Sequence, residues 1–155
     1  KLTHCFNRRA YENDLHNYPD APTDEDFVFV SIDINGLKVV NDTMGHSAGD
    51  ELIKGAARCM KRCFGRWGKV YRTGGDEFAI MLSADSNRLE GIKKTFEEVV
   101  NSWSGNMVKS LSVSCGYVTK KEYPDTTIAE MARIADDRMY EAKAEHYRVK
   151  HASEQ

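Results

Sequence analysis

The run Phe27-Val28-Phe29-Val30-Ser31-Ile32 is the strongest constraint on what this chain can fold into. Apart from Ser31 its residues are aromatic or β-branched and apolar, without a regular polar alternation. A strand of that kind is buried on both faces, so it reads as the centre of a sheet that other elements cover. The run ends at Asp33, which puts a carboxylate at the end of a buried strand.

The rest of the chain supplies the cover. Residues 7–17 read as a short helix with Asn7 as its cap. Residues 18–26, with Pro19, Pro22 and four acidic residues, read as an exposed loop. From Asp50 to Phe64 the apolar positions Leu52, Ile53, Ala56, Cys59, Met60 and Cys63 recur at helical spacing, and Gly65 and Gly68 stop that helix. Runs 69–73 and 78–82 flank Gly74-Gly75-Asp76-Glu77 and predict a β-hairpin with a short glycine-containing turn. Helices are expected over 87–103 and 127–144, with a strand over 111–118 between them. The order predicts an α/β chain of the α+β kind: one mixed sheet with a central β-hairpin, covered by helices. Residues 1–147 read as one domain, with 148–155 as a polar, frayed tail.

At 155 residues, with 41% hydrophobic and 30% charged residues, the chain suits a single globular domain rather than disorder. Its net charge of −2 and lack of a basic stripe argue against a nucleic-acid polymer as partner. No apolar run approaches the roughly 18–20 residues that span a bilayer, so no membrane contact is expected. Cys5, Cys59, Cys63 and Cys115 include no CxxC pair and read as small buried hydrophobes in a reducing compartment. Trp67, Trp103 and Tyr140 read as packing residues, and Lys93-Lys94 and Lys120-Lys121 as solvated surface.

Two constellations carry chemistry. If the hairpin lies beside the first strand, Asp33 and Asp76 reach the same edge of the sheet. Paired carboxylates there suit a magnesium ion, whose other positions go to water and phosphate oxygens. Gly74 and Gly75 let backbone approach a bulky phosphate. The second constellation runs from Asp33 through Gly36, Lys38 and Asn41 to Gly45-His46 and Gly49-Asp50. Helix-start N–H groups with Lys38 nearby would cradle phosphates. Asn41 and Asp50 suit a guanine edge, although by spacing alone they read equally as helix caps. Gly45-His46-Ser47-Ala48-Gly49 matches the GxSxG hydrolase pattern, but helical residues precede it where a strand is required.

With these residues in view, the chain resembles the GGDEF family of diguanylate cyclase catalytic domains over nearly its whole length. Leu2-Thr3 with Asn7-Arg8-Arg9, the 33–50 stretch, Gly74–Phe78, and Ala135-Asp136, Met139-Tyr140 and Ala142-Lys143 carry the likeness. The resemblance implies a palm-like fold similar to polymerase and adenylyl cyclase catalytic cores. It also implies that two GTP condense to cyclic di-GMP across a homodimer, releasing two pyrophosphates. Asp33, Asp76 and the Ile34 carbonyl match metal ligands, for Mg2+ or Mn2+. Asn41 and Asp50 match guanine contacts. Lys38 and Lys143 match phosphate contacts, with Lys38 also stabilising charge on the transferred phosphate and Asp76 a candidate base. Leu37 and Gly75 join the substrate-binding set, and His46 has two readings, a nucleotide contact or a loop-stabilising role.

The departures are specific. Asn35 and Leu37 stand where the family often has Asp and Phe. A Gly-Arg-Asn pattern is missing after Lys143, with Arg148 one residue late for a phosphate-binding arginine. The inhibitory RxxD positions are Gly65 and Gly68, so that product site is expected to be absent. The family implies a fused sensor or regulatory domain outside these residues and a cytoplasmic location. A catalytically inactive GTP-binding module that regulates a neighbour is the alternative reading.

Overall fold

The computed structural model describes residues 2–17 and 24–154. The elements are α1 (Arg8–Asn17), β1 (Phe27–Ile34), α2 (Leu37–Met44), α3 (His46–Phe64), β2 (Gly68–Arg72), β3 (Glu77–Ser83), α4 (Ser86–Ser102), β4 (Val113–Thr119) and α5 (Ile128–Glu154). Residues 18–23 of the expected loop lie outside the described residues.

Every residue of β1 is buried, as the apolar run requires. Among the described residues the strand order is β2-β3-β1-β4, with β1 interior. All three strand pairs are antiparallel, where a mixed sheet is expected. The reason is topological: the hairpin inserts β3 between β1 and β2, so these two co-directional strands never touch. Among the described residues, parallel pairing is confined to the isolated bridge between Phe6 and Tyr71.

Side chains of β1 alternate between two apolar layers. Val28, Val30, Ile32 and Ile34 face α3 and α4, through residues such as Leu52, Met60, Phe64 and Phe96. Phe64 and Phe96 meet edge to face with ring centres 5.0 Å apart. Phe27 and Phe29 face α5 through Met131 and Ala135, with Tyr11 of α1 at the margin. Asp33 falls on this second face. Gly116 of β4 sets how closely α5 approaches: a Cβ there would lie 2.0 Å from the Ala135 carbonyl oxygen. That close seat carries the next turns of α5 past the end of β1.

Several local expectations change. β1 continues through Asp33 to Ile34, where the run is expected to end at Asp33. α5 continues to Glu154, so residues 148–154 extend a helix where a frayed tail is expected. Tyr140 is 55% exposed rather than packed. The Lys93 ammonium lies 4.6 Å from the Tyr117 ring centre, so this lysine is not simply solvated. Cys59 and Cys63 are buried, whereas Cys5 and Cys115 are half-buried; all four are free thiols. Asn7 does cap α1, its Oδ1 accepting from the Ala10 N–H at 2.9 Å.

Candidate functional site

The β1–β3 register ends on the pair Asp33 and Glu77, directly beneath the turn. One further hydrogen bond crosses the gap: the Ile34 N–H donates to the Asp76 carbonyl at 2.9 Å. The end of β1 and the tip of the hairpin are therefore stitched together by backbone. Arg72 and Arg8 hold the turn from outside. The Arg72 guanidinium donates to the Gly75 carbonyl at 2.9 Å. Arg8 donates to the Thr73 carbonyl at 3.0 Å. Neither arginine is visible in the sequence as a site residue: strand periodicity does not say that Arg72 folds back on the turn that follows it, and helix periodicity does not link Arg8 to a carbonyl 65 residues away.

Asp33 is buried, with a relative exposure of 3%. Its Oδ2 accepts from the Lys143 ammonium of α5 at 2.5 Å. Its Oδ1 is buried and has no hydrogen-bond partner among the described residues. Burial, reinforced by repulsion from Asp76 and opposed by Lys143, raises the Asp33 carboxyl to about 6. An orphaned buried carboxylate oxygen beside a second carboxylate is costly in a folded protein unless a cation serves it. The donor set of two carboxylates with a strand-end carbonyl consists of the hard oxygens that magnesium prefers, and it fits such an ion. No cluster of three or more His, Cys, Asp or Glu suited to a metal occurs among the described residues.

Beyond Ile34 the chain turns through Asn35 and Gly36, which has φ 77°. Asn35 is a strut: its Nδ2 donates to Ser112 Oγ at 2.9 Å and its Oδ1 accepts from Ser114 Oγ at 2.9 Å. Neither α2 nor α3 has a side-chain cap at its N-terminus. Free N–H groups at helix starts favour anions.

The sequence-predicted residues fall into two groups. Asp33, Ile34, Asp76, Gly75 and Lys143 converge at the end of β1. Asn41, His46 and Asp50 belong to the α2–α3 hairpin, where the Asn41 amide lies against the Gly49 backbone. Asp50 and His46 are exposed. Asp50 lines a cavity of about 410 Å³ with Ser47, Lys54 and Trp103. Glu51 anchors its far wall, accepting from the N–H groups of Asn106, Met107 and Val108. Lys38 projects into solvent and pairs with Asp42 at 2.9 Å. Leu37 is buried at 8% exposure, so only its backbone is available to a ligand. Ser47 lies within the helical segment α3, not on a strand-to-helix turn, which removes the hydrolase geometry. Arg148 pairs with Glu145 on the exposed side of α5.

A family model described as "Diguanylate cyclase, GGDEF domain" matches residues 1–148. Among curated relatives, "Probable diguanylate cyclase DgcI" of Escherichia coli K12 is 32% identical over 92% of this chain and 30% of its own length. Diguanylate cyclase VdcA of Vibrio cholerae is 30% identical over 92% of this chain and 43% of its own. The chain thus spans less than half of either relative. The GGDEF domain of Pseudomonas aeruginosa YfiN (TpbB) superposes with TM-score 0.75 at 26% identity, covering 94% of this chain and 88% of that one. The GGDEF domain of Caulobacter crescentus DgcB, solved with c-di-GMP, superposes with TM-score 0.77 at 22% identity over 93% of this chain and 88% of that one, which speaks to the fold alone. With its helix-covered antiparallel sheet, palm-like architecture and Gly74–Phe78 turn poised over Asp33, the chain belongs to the GGDEF family of diguanylate cyclase domains.

Proposed function

We propose that this domain condenses two molecules of GTP into cyclic di-GMP, releasing two pyrophosphates, in a site completed by two copies of the chain. The observation that carries the reading is the orphaned Oδ1 of Asp33, buried beside Asp76 at the end of β1. Asp33, Asp76 and the Ile34 carbonyl would hold Mg2+ or Mn2+. Such an ion, when bound, neutralises phosphate charge and acidifies a hydroxyl that it contacts. The chain's own residues do the rest. The uncapped start of α2 and the Lys38 side chain receive the polyphosphate, and the exposed Lys38–Asp42 pair costs little to open. Lys143 holds Asp33 ionised until the cation arrives, then becomes available to phosphate oxygens. Asn41 and Asp50 read guanine, the Asp accepting from N1–H and N2–H groups that adenine lacks. Each GTP 3′-hydroxyl attacks the α-phosphorus of the other, the phosphorus–oxygen bond to pyrophosphate breaks, and the hydroxyl proton leaves to Asp76 or water.

Product feedback through an RxxD site is not expected. The sequence has Gly68 where that site needs an aspartate, and the close approach of β2 to β3 supports the reading, since a Cβ there would lie 2.0 Å from the Met81 carbonyl oxygen.

The decisive experiment incubates the full chain with GTP and magnesium at high protein concentration and looks for cyclic di-GMP by mass. Product that disappears in Asp76→Ala supports the reading. Tight GTP binding without product would instead make the chain a non-catalytic GTP-binding regulator of a neighbouring domain.

A further inference from the structure

The two edges of the sheet are finished differently. At β2 the chain's own N-terminal segment adds to the edge: the Phe6 N–H donates to the Val70 carbonyl at 3.1 Å, and the Phe6 carbonyl accepts from the Arg72 N–H at 2.7 Å. At β4 the ladder itself shows what is left over. The Asn35 N–H donates to the Ser112 carbonyl, and at the other end of the pair the Lys120 N–H donates to the Phe27 carbonyl. The β1–β4 register is unbroken between them, and antiparallel bonding alternates from one residue to the next. Even-numbered residues of β4 therefore bond to β1. The N–H and C=O groups of Val113, Cys115, Tyr117 and Thr119 point the other way.

Two of these outward groups are taken. Arg138 donates to the Tyr117 carbonyl, and the Thr119 N–H donates to the Glu122 carboxylate. The N–H and C=O groups of Val113 and Cys115, and the Tyr117 N–H, have no partner among the described residues. They open onto a cavity of about 490 Å³ between α4 and α5. Phe96 and Val100 of α4, with Leu111, give it an apolar wall continuous with the core. Ala142 and His146 of α5 form the opposite wall, and the exposed Glu97 and Asn101 leave the rim open to solvent.

Proteins usually blunt a free strand edge with charge, proline or a covering segment. Here the charged caps stop at Tyr117, and the stretch beyond them stays open beside apolar surface. Donors and acceptors repeating at strand spacing are matched by one kind of ligand, another extended backbone. A second copy of the chain fits poorly. Its own β4 lies between the same two helices, which reach past the edge, and helices about 10 Å thick would meet before two edges came within about 4.8 Å. The C-terminal residues do not fold back onto the edge either, since α5 stays helical past His146 to Glu154.

We propose that the open edge of β4 over Val113–Tyr117 is a docking site for a single extended segment of another protein. The segment adds as a fifth strand, and alternate apolar side chains enter the space lined by Phe96, Val100 and Leu111. The site is separate from the proposed nucleotide chemistry and does not depend on it.

A random-peptide phage library selected on the full chain supplies the probe, and selected peptides are titrated into isotope-labelled protein. The amide protons of Val113, Cys115 and Tyr117 should shift downfield as they gain acceptors, and those of Ser114 and Gly116, already bonded to β1, should move less. Methylating the peptide nitrogens that face β4 keeps every side chain but removes donors, so affinity should fall by about ten-fold or more. Failure to select any peptide overturns the proposal. So does a peptide that leaves the three amides unmoved, or one that binds equally well after methylation. If the same three amides shift when the chain alone is concentrated, the occupant is a second copy and the proposal falls.

Discussion

Asp33 is the residue whose chemistry and stability pull in opposite directions. Its carboxyl is raised from 3.8 to about 6, chiefly by burial and secondarily by Asp76. A group whose folded value is raised contributes stability that is present below its unfolded value and lost as pH rises through the folded one. The metal-free domain should therefore lose stability between about pH 4 and pH 6, by at most about 3 kcal/mol from this group. Asp33→Asn should melt higher than wild type at pH 8 without metal, and the advantage should vanish near pH 4; calorimetry at the two pH values checks both. Asp50→Ala should leave phosphate binding intact while eroding the preference for GTP over ATP. Competition binding measures that ratio, and an unchanged ratio would remove Asp50 from the guanine contacts. At this scale the sequence exposes the acidic pair because Asp33 follows a run that is apolar but for Ser31 and Asp76 follows two glycines. It does not expose Lys143 as the counter-ion of Asp33, because the two are 110 residues apart and no local pattern links them. Leu37 shows what a motif position leaves open: its apolar side chain goes to the core.

Among the elements, α5 decides how the site is completed. Its seat on β4 at Gly116 leaves no space for even a methyl group against the Ala135 carbonyl. Gly116→Ala should force the helix outward and destabilise the domain by about 1–3 kcal/mol, the usual range for overpacking. Chemical denaturation would register the loss. Helix and strand placement was legible in advance where periodicity was strong, as in α3 and in the two strands of the hairpin. The boundaries that moved have physical causes. Asp33 and Ile34 extend β1 because β4 pairs with both of them and β3 with Asp33. α5 runs on through polar residues because a solvent-facing helix needs no apolar stripe to mark it. The antiparallel sheet could not be read from the order of elements, since that order leaves open which strand β3 would lie beside.

For the molecule as a whole, the proposed chemistry needs two chains, because one site holds one of the two nucleotides. Turnover per chain should rise with protein concentration until dimers dominate. An activity series across dilution tests this, and a specific activity independent of concentration would mean that one chain suffices or that the dimer never dissociates. The stitch between the end of β1 and the hairpin tip gives that molecule its own clock. The Ile34 amide proton is committed to the Asp76 carbonyl, so it meets solvent only when strand and turn part. Its deuterium exchange rate then reports how often the carboxylate pair comes undone, and magnesium should slow it more than it slows amides of α4. A single backbone proton thus becomes a built-in gauge of how long the site stays assembled.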